Sequence, residues 1–265
     1  MIWQMLITAA VTGVLLAILL SLLSYFVVMR RMTFAGVGVA HSAFGGVALN
    51  FILGLSGFCV PLLFSVAAAL FIACMYRKGK VSEDSAIDLI FVFSMAFGVF
   101  VLSLSSGYTA NLMGVLFGSI LSVDTADLYS TIALFVVGFA FLSFYFSHFQ
   151  LMTYNEELAR ISGVNVDFLY YAFWIVLSCV VVLAIKLIGI ILVNAFLVLP
   201  TLTGMNVSRN YRGIIFFGMV FSTLSTTAGI FLAYLLNTPA GATIVLFYVL
   251  LWMVTLAFKR LFLKV

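Results

Sequence analysis

Apolar residues run almost unbroken along this 265-residue chain, and the polar positions fall in short clusters between the runs. Stretches such as Val11–Val28 and Ile214–Leu236 are apolar on every side. A surface helix of a soluble domain would keep a polar face, and a barrel strand would alternate apolar and polar positions over about ten residues. Neither pattern is present in these runs. The punctuation divides the chain into about nine segments near the roughly 20 residues that a membrane-spanning helix needs. They cover 5–28, 34–53, 59–76, 87–107, 126–147, 167–185, 188–206, 213–236 and 240–258. The semi-polar stretch 108–123, with Asn111, Gly114 and Gly118, reads as a re-entrant or interfacial piece.

Composition agrees with this reading. The chain is 66% hydrophobic and 8% charged, where a soluble domain would be about one quarter charged. The expected fold is all-α, a polytopic transmembrane helical bundle. The first run has no basic n-region, is too long for a signal-peptide core and is followed by no cleavage pattern, so a retained span is expected. Cys59, Cys74 and Cys179 all lie in apolar runs, with neither zinc-site nor disulfide spacing.

The basic residues orient the spans. With the N-terminus outside and nine crossings, Arg30, Arg31, Arg77, Lys78, Lys80, Arg160, Arg209, Arg212, Lys259, Arg260 and Lys264 face the cytoplasm. Of the twelve Lys and Arg residues, only Lys186 then falls outside. That asymmetry is the positive-inside pattern, and it puts the C-terminus in the cytoplasm. The net charge of +4 follows from topology, leaving no call for a nucleic-acid partner.

One charged island interrupts the cytoplasmic side, Tyr154 to Val164. Asn155 suits a helix N-cap, and Glu156 and Glu157 suit the first turn, where the helix dipole favours anions. Arg160 lies four residues after Glu156 and can pair with it. Gly163 suits the left-handed residue beyond a helix end. A two-turn helix is marginal in water alone, so it is either docked against something or a capped surface turn. No loop is long enough to fold an ATPase or another enzyme, so any power source must be on another chain.

The island and the text after it, NEELARISGVNVDFLYYAFW, AIKLIGIILVNAFLVLPTLTGMNVSR and TPAGATIVLF, resemble the permease subunit of zinc/manganese ABC importers. The earlier phrase RRMTFAGVGVAHSAFGGVALNFILG does too, so the resemblance covers nearly the whole chain. It implies one transmembrane permease domain over 1–265 in a prokaryotic cell membrane, acting as a homodimer. The implied partners are a cytoplasmic ATPase subunit, which binds ATP, and an extracytoplasmic metal-binding protein. The implied cargo is a divalent ion, zinc or manganese. Asn155, Glu156, Glu157, Ala159, Arg160 and Gly163 would then form the coupling helix that docks on the ATPase, with the small Ala159 allowing close approach.

The second apolar segment is dense in Gly, Ala and Ser and holds His41. Small residues permit close helix contact, which fits a path-lining helix and plain tight packing equally. An ionisable residue inside a span points to function, and imidazole is a common ligand for transition metals. The resembling family usually reads G-D-x-x-x-H here, implying an Asp and a His as metal ligands. In this chain Val37 stands at the Asp position. Three readings stay open: another carboxylate substitutes, the ion is held more weakly, or the cargo is a metal chelate or another small solute. Two copies of His41 across a homodimer could also supply two ligands. The alternative for His41 is a packed, hydrogen-bonded core histidine.

Ser42 and Asn50 share this helix and are further path candidates. Asp124 and Asp127 could attract cations or contact the external binding protein, or simply be solvated. Lys186 is expected at an outer turn, its stem snorkelling. Asn194, Pro200 and Thr201 mark a polar stripe and a kink in the segment 188–206, and backbone freed by Pro200 must be buried or line a cavity. An intramembrane enzyme would need clustered ionisable residues within the spans, such as a HExxH motif or a Ser/His set. The chain has none, so no catalytic residue is assigned to it.

Overall fold

The computed structural model describes residues 2–54, 57–79, 81–104 and 124–262, so the stretch 108–123 lies outside the described residues. Among these are eleven helices and no strand, as expected for an all-α membrane protein. They are α1 (Ile2–Met29), α2 (Ala35–Ile52), α3 (Cys59–Arg77), α4 (Glu83–Ser103), α5 (Thr125–Phe144) and α6 (Phe146–Tyr154). Then come α7 (Glu156–Ile161), α8 (Val166–Phe196), α9 (Leu199–Val207), α10 (Tyr211–Leu236) and α11 (Ala240–Phe262).

Among the described residues, eight helical stretches are long and apolar enough to cross a membrane. One of them, Val166–Val207, has 42 residues, about 63 Å at 1.5 Å per residue. That is twice the hydrocarbon thickness of about 30 Å, which reconciles eight stretches with nine expected segments. Gly189 interrupts it with φ 81 and ψ 162, a backbone state natural only to glycine.

Lys186, expected at an outer turn between two segments, lies instead within α8, and three further boundaries differ from the sequence reading. α4 begins at Glu83, four residues before 87, because Ser82 caps it, its Oγ accepting from the Ser85 amide at 3.3 Å. The fifth segment, expected to reach 147, ends at Phe144, and a separate helix α6 begins at Phe146. The break in the segment 188–206 lies at Leu197–Val198, so Pro200 sits in the first turn of α9, where its missing N–H costs nothing.

The contacts divide into two units. The first holds α1, α5, the end of α8 and α9–α11. Its core is α1, with Leu16, Leu19, Leu20, Leu23 and Phe26 at most 1% exposed. Polar clasps hold neighbours to it: Ser24 Oγ and Thr201 Oγ1 are 2.8 Å apart, and Ser222 Oγ donates to the Ala17 carbonyl at 3.4 Å. α9 and α10 touch backbone to backbone, since a Cβ on Gly204 would lie 2.2 Å from the Ile214 carbonyl oxygen.

The second unit holds α2–α4, α6, α7 and the first part of α8. α2 lies between α3 and α4, and its small residues make that contact. A Cβ on Gly38 would meet Ile87, one on Gly45 would meet Phe64 and the Ser94 carbonyl, and one on Gly46 would stand 2.5 Å from Pro61 Cα. On α8, Tyr170, Phe173 and Trp174 are buried, and Phe149 of α6 sits edge-on to Phe173 at 5.8 Å.

Candidate functional site

The charged island folds as its local signals predict. Asn155 Oδ1 accepts from the amides of Glu157 at 2.9 Å and Leu158 at 3.0 Å, starting the six-residue helix α7. At the other end Gly163 takes φ +81. Its amide donates to the Arg160 carbonyl, and that of Val164 to Ala159, both at 3.0 Å. This is the Schellman closure, and it satisfies carbonyls that a helix end would otherwise leave open.

The side chains of α7 divide by direction. Ala159 is fully buried, so the close approach its small side chain allows is to α7's own chain. Leu158 and Ile161 point outward, 54% and 82% exposed, beside the exposed Tyr154. Two apolar side chains on a helix this short are a surface to be covered. The ion pairs also reach further than one helix. Arg77 Nη1 donates to Glu156 Oε2 at 2.9 Å, and Arg160 Nη2 donates to Asp167 Oδ1 at 3.0 Å, in place of the i,i+4 pair expected within α7.

A second candidate lies between α2 and α4. A cleft of about 500 Å³ is lined by Phe34, Val37, Asp84, Asp88 and Phe91 among others. Asp84 and Asp88 are one helical turn apart on α4 and exposed. His41, one turn after Val37, is half-buried and stands edge-on to Phe91, ring centroids 4.8 Å apart. Thus the position where the resemblance implies an Asp opens onto a cleft that holds two carboxylates from another helix. Among the described residues no three His, Cys, Asp or Glu side chains come together as a metal site.

Most of the remaining candidates have structural partners. Ser42 is fully buried and its hydroxyl donates to the Val39 carbonyl at 2.6 Å, so it does not open onto the cleft. Asn50 Nδ2 donates to the Gly57 carbonyl at 2.7 Å, tying the α2–α3 turn. Asp124 caps α5 by accepting from the Asp127 amide at 2.8 Å. Asp127 is paired with Lys186, which places these two residues together. In the first unit Thr201 is buried on Ser24, and the Thr201 amide, a first-turn donor of α9, uses the same hydroxyl at 3.3 Å. Asn194 is half-buried, its Oδ1 without a hydrogen bond among the described residues.

A family model described as ABC-3, the ABC 3 transport family, matches residues 2–259. This chain belongs to the ABC 3 transport family. The manganese transport system membrane protein MntC of Listeria monocytogenes is 28% identical over 250 residues, covering 94% of this chain and 89% of its own length. The manganese import system permease protein ScaB of Streptococcus gordonii is 28% identical over 258 residues, covering 97% of this chain and 92% of its own. Among solved structures, PsaBC from Streptococcus pneumoniae in complex with Fab superposes with a TM-score of 0.83 at 29% identity. That match covers 97% of this chain and 93% of that one.

For this ABC 3 family member, sequence reasoning missed the residues that join α7 to the rest of the second unit. Arg77 was counted only as a topological charge, Asp84 fell between two segments, and Asp88 lay in the segment 87–107 without being singled out. The signal for the last two was local: Ser82 ahead of Glu83 and Asp84 is a helix start.

Proposed function

We propose that this chain is the membrane-spanning subunit of an ATP-binding-cassette importer for divalent transition-metal ions, manganese or zinc. The near full-length similarity to MntC and ScaB carries the reading, because both names state manganese transport. Their names as a transport-system membrane protein and a permease also support a transporter rather than an enzyme. In this reading ATP is hydrolysed on a separate cytoplasmic subunit, and α7 is its docking helix, with Leu158 and Ile161 as the apolar contacts. Two copies form the path, and an external protein delivers the ion. The whole chain acts as one permease domain, its N-terminus outside and its C-terminus in the cytoplasm of a prokaryotic cell.

His41 and the α2–α4 cleft are assigned to the ion's route. A carboxylate such as Asp88, exposed on a spanning helix, is costly against lipid and belongs on a wet or protein-covered surface. Of the three explanations for Val37, substitution by another carboxylate is the one this arrangement favours. The test is uptake by vesicles holding the permease with its ATPase and binding protein. Manganese or zinc should stimulate ATP hydrolysis and enter. Stimulation by a metal chelate alone would move the assignment to the related chelate importer, and no response to any first-row divalent ion would end the metal reading.

A further inference from the structure

Arg77 closes α3 at the corner where α7 meets α8, and its side chain is only 13% exposed. A guanidinium withdrawn from water is held by its partners or not at all. Those partners come from two other helices, and one of them reaches a third. Nη1 binds Glu156 of α7 at 2.9 Å, and Nε stands 3.5 Å from Asp167 Oδ1 at the start of α8. The guanidinium carbon lies 4.3 Å from the Tyr170 ring centroid, also on α8. The Tyr170 hydroxyl in turn donates to Glu83 in the first turn of α4.

This cluster is incompletely satisfied. Nε and Nη2 make no hydrogen bond among the described residues, because 3.5 Å is beyond a proper N–H···O contact. Asp167 is meanwhile held by Arg160 at 3.0 Å. A guanidinium fork with spare donors beside a shared carboxylate has a second arrangement within small reach. If α7 moves and carries Glu156 and Arg160 away, Asp167 is released to bind Arg77 with two parallel bonds. Two discrete pairings of one ion set are the kind of element through which coupling passes.

We infer that Arg77 is the positioning residue that relays movement of α7 to the start of α4, through Tyr170 and Glu83. The inference rests on the reading of α7 as the ATPase docking helix. Its consequence reaches the cleft, since the first turns of α4 carry Asp84, Asp88 and Phe91. A shift there changes the carboxylates that face Val37 and the ring that abuts His41.

The test needs no transported ion. In the permease–ATPase complex in lipid vesicles, amide hydrogen exchange is compared with and without ATP over 156–161 and 83–90. Wild type should change at both. Arg77→Met should keep the ATP-dependent change at 156–161 and lose it at 83–90, with exchange before ATP unaltered, and Arg77→Lys, which keeps the charge but not the fork, should not restore it. A purely structural role would raise exchange before ATP and leave no nucleotide-dependent difference to lose. If Arg77→Met disorders the corner, Tyr170→Phe removes only the hydroxyl on Glu83 and should also silence 83–90. A response at 83–90 that survives in a folded Arg77→Met, or in Tyr170→Phe, overturns the relay. A wild type with no change at 156–161 overturns the docking reading of α7 and the relay with it, an outcome distinct from loss of the relay alone.

Discussion

Gly163 offers the cleanest perturbation of α7, because its environment separates two effects that usually mix. Its φ is +81, and a Cβ built on it would meet nothing within 4 Å. Gly163→Ala therefore adds no clash, and its whole cost is the left-handed backbone, about 1–2 kcal/mol for a residue with a Cβ. At 1.4 kcal/mol per factor of ten, that moves the local closed-to-open equilibrium about 5- to 30-fold. The bond that reports it is Val164 N–H to the Ala159 carbonyl at 3.0 Å, which exists only in this closure. Amide exchange at Val164 should accelerate by that factor, while exchange in the buried body of α2 stays at its wild-type rate. Gly163→Asn should accelerate it less, since Asn tolerates the left-handed region best among the residues with a Cβ. If the docking reading holds, affinity for the ATPase should fall in proportion to the closed fraction. Unchanged exchange at Val164 in the Ala variant would refute the argument that the Gly163 conformation holds the end of α7.

Gly204→Ala tests backbone contact between α9 and α10: with a Cβ 2.2 Å from the Ile214 carbonyl oxygen, overpacking should cost about 1–3 kcal/mol. A wild-type melting temperature in detergent would exclude that contact. Asp127→Asn breaks a pair whose lysine side chain is 45% exposed, so solvent screening limits the loss to about 1 kcal/mol at most, with uptake retained. Abolished uptake at unchanged melting would reassign Asp127 to an external contact. His41→Ala and Asp88→Asn should each reduce metal uptake without preventing ATPase binding; full uptake in both would remove the α2–α4 cleft from the ion's route.

Much of this was readable along the chain because the governing interactions are local. Asn155, Glu156, Glu157 and Gly163 lie within nine positions of one another, and capping needs nothing outside that window. The apolar runs marked the spans for the same reason, since hydrocarbon acts on every residue of a run alike. Readings that concerned direction fared differently. Ala159 was read as allowing close approach to a partner and is buried in its own chain, Ser42 was a path candidate and is spent on its own helix, and Glu156 pairs with α3. In a span that is apolar or small on every side, as α2 is, periodicity does not say which face meets protein, and in the two-turn α7 the direction is set by partners far along the chain.

The sequence by itself determined the solvent, the helical class, the span pattern and the capped island, together with the family resemblance. Each rests on composition or on spacing within a few residues. Tertiary structure alone decided which small residues of α2 press on which neighbour, that Val37 opens onto a cleft with Asp84 and Asp88, and that Arg77 joins the end of α3 to α7 and α8. Those pairings join positions up to 90 residues apart, as Arg77 and Asp167 are. Only the packed chain brings them within reach of short-range forces, which no local pattern encodes.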